Sequence, residues 1–306
     1  MKVFVWLTLA LIWSTTWIFI KIGLEDLPPI AFSGARFTLS VLILAVVILI
    51  QRVPMPKTSV EWKLLALTGV LQFSINYSLV FWSEQYISSG LAAVLQASIS
   101  VFGLLLAWIF LPDERITAQK IVAVSVGIVG VAVIFMDQLR VENWMAFAGC
   151  VAIVVGAYAA AQASILVKAK AAAIHPASMV FCQMLCGLPA IIIYSLIRGG
   201  NPVTFHWTWQ AVICVLYLAV LGTVAAFWLY YWLLSKIEST KAMMISLITP
   251  LLAVVIGAVV LGEKLPPQTF VGGLLIIGSI GLSFSGDVTG MSPTKNCPQM
   301  DTDKHR

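Results

Sequence analysis

Long apolar runs recur along the chain, separated by short polar stretches. A helix rises about 1.5 Å per residue, so about 20 apolar residues span the roughly 30 Å hydrocarbon core of a bilayer. The runs predict ten membrane-crossing helices, at approximately residues 3–21, 30–50, 64–86, 88–111, 119–136, 144–167, 177–197, 210–234, 240–261 and 268–286. Connections such as "EDLPP", "LPDERITAQ", "MDQLRVEN" and "GEKLPPQ" leave no room for a soluble domain. The first run keeps a polar "WSTTW" in its middle and lacks a small-residue cleavage site, so it reads as a membrane helix rather than a removed signal. The tail 287–306 is polar, with Pro, Thr and Lys, and reads as disordered.

Composition supports this pattern. The chain is 60% hydrophobic and 10% charged, against about 25% charge in soluble domains. Its net charge of +5 is dispersed between apolar runs, with no basic patch interleaved with aromatics, which argues against nucleic acid as a partner. The basic residues instead indicate orientation. With a cytoplasmic N-terminus, 13 Lys and Arg fall on the cytoplasmic side and 4 on the outer side, with Arg36 left inside the membrane. That asymmetry predicts that both termini are cytoplasmic. Four of the five cysteines lie in apolar runs without accompanying histidines and read as packing residues. No metal site or cofactor is expected.

The two halves match sparsely. Lys21, Pro29 and Arg36 fall on Lys168, Pro176 and Gln183 at one offset, and "FWSEQYISSGLAAVLQASIS" falls on "YWLLSKIESTKAMMISLITP". Five helices per half is an odd number, so the second half would enter the membrane upside down. The expected organisation is a five-helix repeat over 1–138, an inverted repeat over 139–286, and the tail. Inverted repeats are a common transporter design, with the binding site near the midplane.

The segments "IWSTTWIFIKIGLEDLPPIAFSGARF", "SSGLAAVLQASISVFGLLLAWIFLPDERIT" and "ESTKAMMISLITPLLAVVIGAVVLGEKL" resemble EamA-type members of the drug/metabolite transporter superfamily. The resemblance covers nearly all of residues 1–286. It implies an all-α membrane protein of ten helices, arranged as two inverted five-helix repeats around a central cavity lined by helices 1, 3, 4, 6, 8 and 9. It also implies a bacterial inner-membrane exporter of amino acids or related metabolites. One departure is Ser100 where the second half has Pro250 and many relatives keep a proline in both halves.

Helical spacing nominates side chains. Gln96, Ser100, Gly103 and Ala107 share a face of helix 4, and Ser246, Pro250, Ala253 and Gly257 share one of helix 9. Gly103, Pro250 and Gly257 read as close-packing or gating positions. Gln96 reads as cavity-lining, because a buried amide needs partners. Asn76, Tyr158, Gln162, Trp13, Trp17 and Trp228 are the other expected substrate contacts, against the plain alternatives of packing and interfacial anchoring. Arg36 and Glu84 are the charges well inside spans. Arg36 is expected either to brace helix 2 against helix 3, through Glu84 or loop carbonyls, or to meet a substrate carboxylate. Glu84 is the embedded carboxylate able to carry a proton, or else a partner for Arg36.

The three histidines lie in loops or the tail, and neither H-E-x-x-H nor a phosphate-cradling G-x-x-x-x-G-K-[ST] occurs, so an enzyme or a primary pump is not expected. Uptake, drug efflux and a non-transporting receptor or scaffold remain the alternatives to metabolite export. The expected partners are a small-molecule substrate and the bilayer, with protons as candidate coupling ion.

Overall fold

The computed structural model describes residues 1–114, 116–198, 200, 205–261 and 267–289, excepting the side chains of 17, 21, 89, 90, 198, 261 and 286–289. Arg115, the Glu263 hairpin and all but the first residues of the tail lie outside the described residues. Among the described residues ten membrane-scale helical segments are present: α1 (Lys2–Gly23), α2 (Pro29–Gln51), α3 (Ser59–Ser83), α4 (Ser89–Gln96 and Ile99–Phe110) and α5 (Ala118–Ile134). Then follow α6 (Trp144–Lys170), α7 (Pro176–Arg198), α8 (Trp209–Leu234), α9 (Ser239–Met243 and Ile245–Leu261) and α10 (Gln268–Thr289). Nine of these described segments are long and apolar enough to cross a bilayer alone, while α5 has 17 residues.

Local chemistry sets the helix starts. Pro29 occupies the first turn of α2, where its missing N–H costs nothing. Thr58 and Glu61 form a reciprocal capping box on α3, and Thr117, Asn143 and Thr208 cap α5, α6 and α8.

Several helices are locally irregular. Both α3 and α8 widen to π-helix in mid-span, over Val70–Asn76 and Val220–Ala225. Such bulges free backbone carbonyls and re-aim side chains. The α4 helix tightens at Ala97–Ser98 through i→i+3 bonds to Leu95 and Ala97, and α9 does so at Met244. The α4 interruption occurs without a proline, so the Ser100 departure does not prevent it, and the α9 interruption precedes Pro250 by a turn and a half rather than sitting on it.

Helices pair as α2 with α7, α4 with α6, α1 with α9, α3 with α7, α2 with α8 and α5 with α10. Two pairings need glycine. A Cβ at Gly69 would lie 2.2 Å from the Gln183 carbonyl oxygen, and one at Gly272 would lie 2.5 Å from that of Gly130. Lipid provides no hydrophobic drive between helices, so this close backbone approach supplies the packing. Side chains brace the rest: Gln183 Nε2 of α7 donates to Thr68 of α3 at 2.7 Å, and Arg36 Nε of α2 donates to Thr223 of α8 at 2.8 Å.

Candidate functional site

A cavity of about 250 Å³ lies within the bundle. The α1 helix contributes Trp13, Thr16 and Ile20, and α3 contributes Gln72, Asn76, Tyr77 and Phe81, with Glu84 just beyond its end. From α4 come Ala93, Gln96 and Ile99; from α9, Met243, Ser246, Thr249 and Pro250. The α6 and α8 helices add Ala160 and Ser164, and Phe227 and Tyr230.

One wall is aromatic. The Trp13 ring lies 5.8 Å from that of Phe227 and 5.5 Å from that of Tyr230, whose hydroxyl donates to Ser164 at 3.2 Å. The polar side carries the Gln96 amide, whose Nε2 donates to Asn76 Oδ1 at 3.4 Å, and the Arg36 guanidinium. Mostly apolar walls with a few placed polar groups suit a small amphipathic organic molecule.

Five expected residues therefore line one cavity together with Pro250: Trp13, Asn76, Gln96, Arg36 and Glu84. Three do not. Tyr158 and Gln162 share the opposite face of α6, with Tyr158 45% exposed and edge-on to Phe102. The cavity-facing residues of α6 are Ala160 and Ser164, two positions further along each, about 200° around the helix. Trp228 packs against His175, while its neighbours Phe227 and Tyr230 face the cavity. The Trp17 side chain lies outside the described residues. Gly257 is buried in α9 away from the cavity lining.

Arg36 also departs from expectation. It makes no ion pair with Glu84 or any other described carboxylate. Its Nε donates to Thr223 Oγ1 and its Nη2 to the Gly222 carbonyl at 3.1 Å, so it braces α2 to α8, not to α3. Both acceptors lie in the π-helical stretch of α8.

The helix crossing of α4 and α9 forms part of the cavity's inner boundary. Ser100 Oγ donates to the Met243 carbonyl at 3.1 Å and lies 3.0 Å from Ser246 Oγ. Gly103 leaves the space that Met243 fills, since a Cβ there would lie 2.0 Å from its sulfur.

A cluster of ion pairs closes that end of the bundle, near the α4–α5 and α8–α9 turns. The Glu114 carboxylate accepts from the Ser239 backbone N–H at 2.9 Å, from its hydroxyl at 2.5 Å, and from Lys168 Nζ at 2.5 Å. Lys168 also donates to the Ile237 carbonyl. Glu238 pairs with Lys120 at 2.8 Å and Lys241 at 3.2 Å, and Trp6 Nε1 donates to the Lys241 carbonyl at 2.9 Å. Burial raises the Glu238 carboxyl, but Lys120 and Lys241 together outweigh it and hold it below the usual carboxylate range. That depression adds stability at neutral pH, which is lost as pH falls through the folded-state pKa. Sequence reading missed this cluster, Tyr77 and Tyr230. In the sequence Lys120, Lys168 and Lys241 read as topology charges and Lys168 also as a repeat landmark, although acids beside helix starts are a usable signal for caps.

A bundle of membrane-scale helices around an amphipathic cavity defines a polytopic membrane protein. The chain belongs to the EamA-like transporter family, whose profile matches it over residues 1–136 and 147–285. It is similar to the "Uncharacterized transporter YoaV" of Bacillus subtilis, 26% identical over 88% of this chain and 92% of that protein. It is 23% identical to a "Probable amino-acid metabolite efflux pump" of Escherichia coli, over 92% of this chain and 93% of that one. A namesake from Salmonella typhimurium is 25% identical, over 92% and 94% of the two chains. A solved crystal structure of 14% identity superposes with a TM-score of 0.81, covering 94% of this chain and 99% of that one, and shares the fold. The chain is accordingly a multi-pass membrane transporter rather than an enzyme.

Proposed function

We propose that the protein exports amino acids or related small metabolites across a bacterial inner membrane by alternating access to this cavity. The observation that carries the reading is the cavity itself, with an aromatic wall, a guanidinium and three amides on its lining. The efflux-pump names of two relatives favour export and amino-acid metabolites. The two separate family matches, the π-helical stretches in α3 and α8, and the paired braces Arg36–Thr223 and Gln183–Thr68 support an inverted repeat with halves over 1–138 and 139–286. Basic residues concentrated at the end bearing both termini favour a cytoplasmic position for it. On that orientation the ion-pair cluster is a cytoplasmic latch, and the cavity, running past Ile20, Phe81 and Glu84, leads outward.

Among the described residues Glu84 is the one carboxylate on the cavity lining, where the other ionisable groups are Arg36, Tyr77 and Tyr230. This position suits it to carry a proton in a coupled cycle. Over-expressing cells loaded with amino acids and related metabolites should release at least one compound faster than control cells. An uncoupler should slow that release in the wild type and have no effect in Glu84→Gln. Equal release from control cells would remove the export reading. An unchanged response to uncoupler in Glu84→Gln would remove the coupling role alone.

A further inference from the structure

Arg36 is 5% exposed and lines the cavity, yet no described carboxylate lies within ion-pair distance. A buried cation without a counter-charge is costly, and burial is normally tolerated where a partner completes the site. Two of its nitrogens are engaged, Nε by Thr223 and Nη2 by the Gly222 carbonyl. These bonds fix the plane of the guanidinium, and among the described residues Nη1 has no acceptor. The neighbouring Tyr77 is a phenol and supplies no counter-charge at neutral pH.

A second group on the same cavity is also incomplete. Gln96 Nε2 donates to Asn76, but Gln96 Oε1 is enclosed and accepts no hydrogen bond. An enclosed amide oxygen without a donor carries a desolvation cost that a ligand donor would relieve. The cavity thus offers an unused cationic donor and, once the Gln96 amide turns its enclosed oxygen inward, an unused acceptor, beside the aromatic wall of Trp13, Phe227 and Tyr230.

We infer that Arg36 Nη1 is the anion anchor of the cavity, and that its ligand is a small amino- or hydroxy-carboxylate. The carboxylate meets the guanidinium, the amino or hydroxyl group donates to Gln96 Oε1, and the apolar side chain lies against the aromatic wall. This deepens the proposed function and rests on the cavity being the transport site. Bracing and anchoring are then performed by different nitrogens of one side chain, which explains a charge inside α2 where the aligned residue in the other half is the neutral Gln183.

The test uses the full-length protein in detergent, with thermal unfolding followed against L-leucine, L-phenylalanine, their amides, and 4-methylpentanoate. At least one amino acid should stabilise the wild type at concentrations about tenfold below those its amide requires, the factor expected for one charge-assisted hydrogen bond. 4-Methylpentanoate, which lacks the amino group, should be weaker than leucine. Arg36→Gln should bring carboxylate and amide within about twofold, and Arg36→Lys should retain an intermediate preference. Thr223→Val should lower the melting temperature but keep the carboxylate preference, since it removes the brace and leaves Nη1 in place. Equal stabilisation by acid and amide, no stabilisation by either amino acid, or an intact preference in Arg36→Gln would each overturn the anchor. Vesicle flux of neutral or cationic compounds with carboxylates ignored would leave the transporter reading standing and remove the anchor alone. Absence of any flux would remove both.

Discussion

Replacing Glu114 by Gln is expected to destabilise the protein by about 3 kcal/mol and to open the cavity at the end that the ion-pair cluster closes. The Glu114 side chain is 8% exposed, and it satisfies the first backbone N–H of α9, the Ser239 hydroxyl and Lys168 together. Neutralising it leaves Lys168 without its counter-ion. The figure is at the low end for a broken buried pair because the Lys168 side chain keeps 18% exposure. The latch joins the α4–α5 turn and α6 to the start of α9, and these contacts must separate if that end opens. A loss of about 3 kcal/mol from the closed form alone would shift the closed-to-open ratio by roughly a hundredfold. In a background without native cysteines, Ser246→Cys should then react faster with an impermeant maleimide supplied from the side of the ion-pair cluster. Lys168→Met with Glu114→Gln should recover part of the lost stability. Wild-type stability and unchanged labelling in the folded single variant would show that the cluster does not latch the bundle.

Gly103→Leu is expected to cost about 3 kcal/mol or more and to abolish transport, by forcing α4 from α9 at their crossing. The position has no spare volume, because Met243 sulfur occupies the space a Cβ would take. The Ser100–Met243 and Ser100–Ser246 contacts lie one turn away and would be lost with it. Gly103→Ala should be milder, because a methionine side chain can swing aside, and Met243→Ala should restore much of the Gly103→Ala loss. Thermal unfolding and flux on the same preparations check both. A Gly103→Leu protein that folds and transports normally would show that the crossing is neither tight nor moving.

The helices were legible because lipid imposes a length and a composition on each, and neither depends on a partner. The tight α4–α9 crossing was legible for a related reason: Ser100, Gly103 and Ser246 are small and recur at helical spacing. The two faces of α6 were not separable. Alanines surround Tyr158 and Gln162, so polarity favoured those two, while the cavity face carries Ala160 and Ser164. The Arg36 partner was hidden because Thr223 is distant in sequence and presented by a π-helical stretch, which depends on tertiary packing more than on local propensity. Glu114, Lys168 and Ser239 each read locally as turn residues, and only folding brings them together.

The most direct test of carrier function is counterflow in proteoliposomes, using the compound that over-expressing cells release. Vesicles preloaded with unlabelled compound should take up external label transiently above equilibrium, saturably, and lose that overshoot in Gly103→Leu. Uptake no greater than that of protein-free vesicles, with wild-type protein shown to be folded in the bilayer, would contradict alternating access through this cavity.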